Sequence, residues 1–231
     1  MPRSVVRAGA VRCPACSLPP RWCTCGMLPP VTTSLAVHVL IHRGEHVKPS
    51  STGRLVTRAV TGAACHVYQR ETRFHGESGL PADAVDPDCE LWILHPGGEP
   101  LPVPCGASDA ASGAQPHVLV LDGTWRQAGE MLRSVEGRGR CVRLPEASVG
   151  PSRYWLRDQP GPTQLSTAEA LMGVFRALGE HEAEAALRLH FEFHVYAMLL
   201  ARGRREMAER YLGQSPVLTE MPAILDRWQL R

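Results

Sequence analysis

The stretch VLVLDGTWRQAGEML, residues 118–132, joins an aliphatic run to a helical pattern through Asp122, Gly123, Thr124 and Trp125. A short aliphatic run of this kind is typical of a buried strand, and the amphipathic run after it is typical of a helix. A strand followed directly by a helix is the building unit of α/β proteins. Asp122 therefore stands at the carboxyl end of a predicted strand, where open parallel sheets bind their ligands.

The same alternation of strands and helices extends along most of the chain. Leu, Ile and Val runs bounded by Gly, Pro and Ser separate amphipathic stretches, which favours an α/β fold with a mainly parallel sheet and helices on both faces. We expect the strand ELWILHP to end at its proline and the Gly- and Pro-rich residues after it to form a loop. The predicted strands are 34–41, 65–69, 90–96, 117–121 and 140–145, the helices are 52–63, 124–135, 166–178, 181–202 and one more in the tail, and the loops include 97–116 and 152–164.

Length and composition favour a globular protein outside the membrane. With 231 residues and 44% hydrophobic content, the chain can bury one large domain, with or without a small appendage. No apolar run reaches the roughly 18 residues that cross a bilayer, and residues 1–16 lack an apolar core of signal-peptide length. We therefore expect a soluble, cytoplasmic protein with no membrane partner.

The charge of the chain does not by itself identify a partner. A formal net charge of +2 is too small to require a polyanion, although Lys48 is the only lysine and arginine supplies the remaining positive charge. Arginine suits phosphate and base edges, but a coding bias toward arginine would give the same count.

Four of the eight cysteines lie close together in CPACSLPPRWCTC, residues 13–25. Two thiolate pairs joined by a short turn can supply the tetrahedral set of soft ligands that zinc prefers; the alternative is a set of free thiols in a flexible tail. A site filled by four protein ligands would be structural, because it leaves no open coordination position. We predict a zinc-binding module at 1–30, a main domain at 31–231, and zinc ligands at Cys13, Cys16, Cys23 and Cys25.

Asp122 admits two interpretations from the sequence alone. An acid before a helix can simply cap the free amides of the first turn, and Trp125 by itself is typical of a core anchor. Gly123, however, directly follows the acid, and a glycine there allows close approach of the backbone at the ligand-facing end of the strand.

Five pieces of the sequence, in order, resemble the DTW-domain family of bacterial tRNA-uridine aminocarboxypropyltransferases. The family is named for an Asp-x-Thr-Trp signature, which stands here at Asp122, Thr124 and Trp125. The other pieces are the CxxC and CxC cysteines, the stretch 42–55 with its Thr-Gly-Arg-Leu at 52–55, the LWILHP strand, and LSTAE at 165–169. Together they cover residues 13 to about 175, most of the chain.

The resemblance implies a specific reaction. Proteins of this family are similar to the knotted SPOUT fold and are expected to move the 3-amino-3-carboxypropyl group of S-adenosylmethionine onto N3 of a tRNA uridine, releasing methylthioadenosine. Asp122 is then the candidate base for the N3 proton, since partial burial would raise the pKa of its carboxyl. The residues implied to bind the donor are Leu94, Pro96, Leu121, Thr124, Trp125, Leu165, Ser166, Thr167 and Glu169, although Ser166 and Glu169 are also explained by a helix capping box.

Several cations are candidates for contacts with tRNA. The charged loop at 42–48 is either solvated surface or a site for tRNA phosphate or the donor carboxylate. Gly53 at a helix start would let backbone amides approach an anion, and the cations and aromatics at 153–157 fit RNA stacking and phosphate contact. The candidates are Arg43, Lys48, Arg54, Arg126, Arg153 and Arg157.

Two other functions fit the same residues. One is an S-adenosylmethionine-dependent RNA methyltransferase of the same knotted class, and the other is a non-catalytic, zinc-containing RNA-binding module.

Overall fold

A five-stranded parallel sheet lies at the centre of the structure, a computed structural model that describes residues 11–70, 79–102, 116–157 and 164–229. The strand order is β2-β1-β4-β3-β5, and every pairing of neighbouring strands is parallel. The predicted α/β fold with a parallel sheet is therefore confirmed. The strands are β1 (Ala36–His42), β2 (Ala64–Tyr68), β3 (Leu91–Pro100), β4 (His117–Asp122) and β5 (Arg140–Arg143).

Helices cover both faces of this sheet. Side chains alternate along each strand, so that Val39 of β1 faces one core while Leu40 faces the other, where it packs with Met131. No helix in the described ranges has both the length and the apolar composition that crossing a bilayer requires. The helices are α1 (Arg43–His46), α2 (Thr52–Ala59), α3 (Trp125–Ser134), α4 (Thr167–Ala177), α5 (His181–Ala201), α6 (Arg205–Leu212), α7 (Val217–Glu220) and α8 (Pro222–Gln229).

Strand β3 departs from the prediction that it ends at Pro96. It continues to Pro100, with a shift in its pairing with β5 between Leu94 and Glu99. Gly98 permits this, because a Cβ there would lie 2.6 Å from the backbone of Cys141. The prediction of a loop beginning at residue 97 is therefore wrong for residues 97–100, which belong to β3. Residues 103–115 of that predicted loop lie outside the described part of the chain.

Two helix predictions also need correction. Helix α2 ends at Ala59 rather than at 63. The tail forms α6, α7 and α8 rather than one helix, and Tyr211, Val217 and Trp228 bury it against the core.

The cysteine-rich segment packs into the same core as the main domain. Cys16, Leu18 and Val31 are buried in the cluster that α5 and α8 share. The indole of Trp228 donates to the Cys23 carbonyl at 2.9 Å, and its ring lies 5.5 Å from that of Trp22. The described part of the predicted module, residues 11–30, is thus held by the last helix of the chain. Residues 1–10 lie outside the described part.

Candidate active site

A cavity of about 970 Å³ opens at the carboxyl end of β4, beside the middle of β3 at Leu94 to Pro96. Its walls include the first residues of α2, α3 and α4 and the segment 149–151. In the sheet, β4 lies between β1 and β3, although both of these strands precede it in the sequence. The connections that leave β1 and β3 therefore lie on either side of β4. The position agrees with the general rule for ligand sites in parallel sheets.

Asp122 is buried at one end of this cavity, with 6% of its surface exposed. Its Oδ2 accepts a hydrogen bond from Ser51 Oγ at 2.7 Å, and its Oδ1 accepts one from Thr167 Oγ1 at 2.5 Å. Ser51 caps the N-terminus of α2, and Thr167 is the first residue of α4. The carboxyl group therefore lies between the N-termini of two helices, where the helix dipoles favour a negative charge.

Burial raises the pKa of Asp122 above its ordinary value, and hydrogen bonds from Ser51, Thr167 and the Gly53 backbone only partly oppose the shift. An aspartate with a raised pKa is a stronger base than an exposed one. The environment is therefore suited to proton transfer as well as to holding the two helices.

The simpler interpretation, that Asp122 caps the helix after it, is wrong. Thr124 caps α3: its side chain accepts a hydrogen bond from the Gln127 amide, and Gln127 Oε1 accepts one from the Thr124 amide at 2.8 Å. The same Gln127 side chain contacts His42 Nδ1 at 2.9 Å, which ties α3 to the end of β1. The carboxylate of Asp122 therefore takes no part in capping α3.

Gly53 makes the close approach of α2 to Asp122 possible. A Cβ at this position would lie 2.7 Å from both Cβ and Cγ of Asp122. The predicted anion beside the Gly53 amide is therefore the carboxylate of Asp122 itself. Gly123, by contrast, makes room for Gln127, since a Cβ there would lie 2.9 Å from Gln127 Cβ.

Replacing Gly53 with alanine should destabilise the protein by about 1–3 kcal/mol, because the added methyl overlaps the Asp122 side chain in a packed region. Gly129→Ala is the matched control within α3, where a Cβ meets nothing closer than Arg133 Nη1 at 3.8 Å. The free energy of unfolding of this control variant should increase by roughly 0.4–1 kcal/mol. Urea unfolding monitored by circular dichroism measures both, and equal stabilities of the two variants would contradict the steric argument.

The cavity brings together all of the predicted donor-binding residues except Glu169. Trp125 is 51% exposed at the cavity wall, so the core-anchor interpretation of this residue is wrong. Glu169 accepts hydrogen bonds from the Ser166 amide at 2.7 Å and the Arg153 amide at 2.6 Å, which confirms the capping box and holds the segment before α4. The predicted residues that line the cavity are Leu94, Pro96, Leu121, Thr124, Trp125, Leu165, Ser166 and Thr167.

Among the predicted RNA contacts, Lys48 and Arg157 line the cavity. Lys48 pairs with Glu45 Oε1 at 2.6 Å, and the guanidinium of Arg157 lies 5.1 Å from the Tyr154 ring centroid. Arg126 is exposed on α3 without lining the cavity, and Arg43 donates to Gln69.

Arg153 and Arg54 make contacts within the protein instead. Arg153 forms a two-point ion pair with Glu192 of α5, at 2.9 and 2.8 Å, and only 3% of Glu192 is exposed. Arg54 donates to Ala15 O at 2.8 Å and to Ser17 Oγ at 3.0 Å in the cysteine-rich segment. The structure places Arg153 against Glu192 and not at the cavity, and the charge of Arg153 neutralises a buried carboxylate.

Some cavity residues had no role in the sequence analysis. Ser51 caps α2 and also donates to Asp122. Tyr154 donates its hydroxyl to the Ser50 carbonyl at 2.6 Å and so joins the 150s segment to the start of α2. His95 and Arg143 also line the cavity. His95 stands at the end of the LWILHP strand, which is the signal that could have identified it.

The four clustered cysteines form a geometry that fits a tetrahedral metal. Their sulfur atoms all lie within 4.8 Å of one another, with Cys13 and Cys25 at 3.9 Å and Cys16 and Cys23 at 3.7 Å. A zinc ion with bonds of about 2.3 Å requires sulfur separations of about 3.8 Å. A hydrogen bond from the Cys25 thiol lowers the pKa of Cys16 to about 4, while the same contact raises the pKa of Cys25, so these two sulfurs interact directly.

Comparison with known proteins identifies the family of this chain. A family model described as "DTW domain" matches residues 10–199, which include the cysteine cluster, Asp122 and the start of α4. The chain belongs to the DTW-domain family.

Three curated relatives of this DTW-domain protein, from fly, mouse and macaque, share the name tRNA-uridine aminocarboxypropyltransferase 2. This chain is 27% identical over 161 residues to tRNA-uridine aminocarboxypropyltransferase 2 of Drosophila melanogaster. The match covers 68% of this chain and 62% of the fly protein. The chain is 30% identical over 165 residues to the protein of that name from Mus musculus, covering 68% of this chain and 53% of the mouse protein. The chain thus spans little more than half the length of these relatives. No solved structure matches it.

Proposed function

We propose that this DTW-domain protein is a tRNA-uridine aminocarboxypropyltransferase that uses S-adenosylmethionine as its donor. The relatives named for this activity support the reaction class. The observation that carries the proposal is the buried Asp122, with its raised pKa, at the end of a strand in a cavity of about 970 Å³. Such a volume is at the upper end of small-molecule sites and suits a nucleoside donor together with a pyrimidine.

In this proposal, Asp122 removes the proton from uridine N3. The Thr167 hydroxyl lines the cavity while donating to Asp122 Oδ1, so it can accept the N3 proton as it passes its own proton to the carboxylate. The N3 electron pair then forms a bond to the methylene beside the sulfonium. The bond from that carbon to sulfur breaks, methylthioadenosine leaves, and the proton remains on Asp122.

The choice of the aminocarboxypropyl group over the methyl must be geometric, since both are attached to the same sulfur. We propose that the chain has the SPOUT-like knotted fold and that the donor lies against Leu94, Pro96 and Leu121 on one side and the start of α4, at Leu165 and Ser166, on the other. Holding the reacting carbon in line with N3 is a positioning effect of the kind that supplies much of the barrier reduction in group transfer.

The cavity rim fits a nucleotide displaced from its stack. The exposed ring of Trp125 can stack on a base, and the side chains of Lys48 and Arg157 can contact phosphate. Arg126, next to Trp125 and exposed, extends this surface, and we place Arg43 at its periphery. The substrate in this proposal is a tRNA uridine, in a cytoplasmic setting.

The cysteine cluster is proposed to hold a structural zinc ion. Cys13, Cys16, Cys23 and Cys25 would complete its coordination and leave no position for substrate. Residues 1–30 are then a zinc-binding module that contributes to RNA binding, and residues 31–231 form the catalytic domain.

Incubation of the protein with tRNA and donor labelled in its carboxyl group tests the reaction. Label should enter the RNA and methylthioadenosine should be released in equal amount. A methyl-labelled donor is the matched control and should leave the RNA unlabelled. Transfer of the methyl label instead would identify a methyltransferase, and tRNA binding without either transfer would identify a non-catalytic RNA-binding module.

A further inference from the structure

Arg58 is a cation with an unusual environment. It lies in the last turn of α2, is partly buried, and its Nη2 lies 3.2 Å from Nδ1 of the fully buried His194 of α5. Because a guanidinium can only donate, this histidine nitrogen accepts, and the ring is neutral. Burial lowers the pKa of His194 well below its ordinary value, in agreement with a neutral ring. The partner of Arg58 therefore supplies no negative charge.

The carboxylates of the described residues do not compensate Arg58 either. Within the described ranges, none of the ion pairs includes Arg58. A covered charge without an opposite charge is costly, and proteins rarely retain one. Burial lowers the pKa of Arg58, while the nearby thiols of Cys25, Cys16 and Cys23 raise it. The cysteine cluster is thus close enough to act electrostatically on this guanidinium.

Arg54 shows that this face of α2 is turned to the cysteines. It precedes Arg58 by one helical turn, so the two side chains lie on the same side of the helix. Its guanidinium donates to Ala15 O and Ser17 Oγ, the residues on either side of Cys16. Like Arg58, Arg54 takes part in no ion pair with a carboxylate in the part of the chain that the structure describes.

We propose that Arg58 is the counter-ion of a metal tetrathiolate centre formed by the four clustered cysteines, with Arg54 as the second cation. This inference rests on the metal site proposed above. Four thiolates around a divalent ion carry about two net negative charges, which two guanidinium groups on one helix face neutralise. Groups beyond the ligands commonly change metal affinity in this way.

The position of α2 gives this arrangement a second consequence. The same helix that carries Arg54 and Arg58 begins at Ser51, whose hydroxyl donates to Asp122. The charged metal centre thereby fixes the helix that holds one side of the candidate active site.

Zinc affinity of charge-altered variants tests the inference. Arg58→Gln removes the charge but keeps a donor for His194, and competition with a chromogenic chelator should show affinity weaker by about 10- to 100-fold. Arg58→Lys keeps the charge and should recover most of that loss. The cobalt(II) form of each variant should keep the absorption bands of a tetrathiolate, which shows that the ligands themselves are unchanged.

Arg202→Gln is the matched control, because Arg202 is also half-buried, lacks a carboxylate partner within the described residues, and donates to the Leu156 carbonyl. Its zinc affinity should equal that of the wild type. Equal affinity of Arg58→Gln and wild type would overturn the counter-ion role, as would equal losses in the Gln and Lys variants. Should Arg58→Gln not fold, Arg54→Gln carries the same test. A wild-type chain that binds no zinc would instead remove the site itself.

Discussion

Asp122→Asn should lower turnover in the labelled-donor assay by about 10²- to 10⁴-fold, the range that a positioned general base contributes. Asparagine has the shape of aspartate and can still accept from Thr167 or Ser51, so the helix N-termini should stay in place. It cannot take a proton at neutral pH. Donor and tRNA affinities should therefore change little, while turnover at saturating donor and tRNA is lost.

Two comparisons separate catalysis from a structural effect of this variant. Asp226→Asn removes an exposed carboxylate on α8, away from the cavity, and should keep full activity. Equilibrium binding of donor and tRNA to Asp122→Asn should match the wild type. Undiminished turnover would rule out the base role, and a parallel loss of binding would identify Asp122 as only a clamp for α2 and α4.

The pH dependence of the wild-type rate follows from the same residue. Burial raises the pKa of Asp122, so the carboxyl loses its proton at higher pH than an exposed aspartate does. Turnover should rise as pH increases through this raised pKa. The effect on stability has the opposite sign: the folded state binds the proton more tightly, so this group contributes less to stability as pH rises through its folded pKa.

The strand and helix pattern was predictable because it depends on local sequence. The aliphatic runs before Asp122 and at 36–42 became neighbouring strands, and the Ser166 and Glu169 spacing placed the start of α4 correctly. β3 was the exception among the strands, since its continuation depends on Gly98 accepting the backbone of β5. No local rule predicts such a contact between strands distant in sequence.

The partners of the candidate site residues were not predictable in this way. Asp122 binds Ser51, 71 residues earlier, and Thr167, 45 residues later. Only the parallel crossovers bring the N-termini of α2 and α4 to the end of β4. Arg153 shows the same limit, because its partner Glu192 lies 39 residues away on a helix whose inward face cannot be assigned from charge alone.

Replacing Cys23 and Cys25 together with serine should remove the metal and lower the melting temperature by about 8–16 °C. Zinc stabilises the folded chain by about 4 kcal/mol when its free concentration is a thousand times its dissociation constant, and each kcal/mol corresponds to roughly 2–4 °C for a chain of this size. The loss of stability should extend to the main domain, because Trp228 donates to the Cys23 carbonyl and packs against Phe193 of α5. Metal analysis and calorimetry measure the two effects.

The double variant Cys65→Ser and Cys141→Ser provides the control, since neither thiol belongs to the cluster. It should keep one metal ion per chain and remain close to the wild-type melting temperature. Treating the wild type with a strong chelator should reproduce the melting temperature of the Cys23 and Cys25 variant, because both remove the same bound ion. If chelation lowered the melting temperature while that variant still bound a full equivalent of metal, the stabilising ion would have to lie elsewhere. The cluster would then be a set of free thiols.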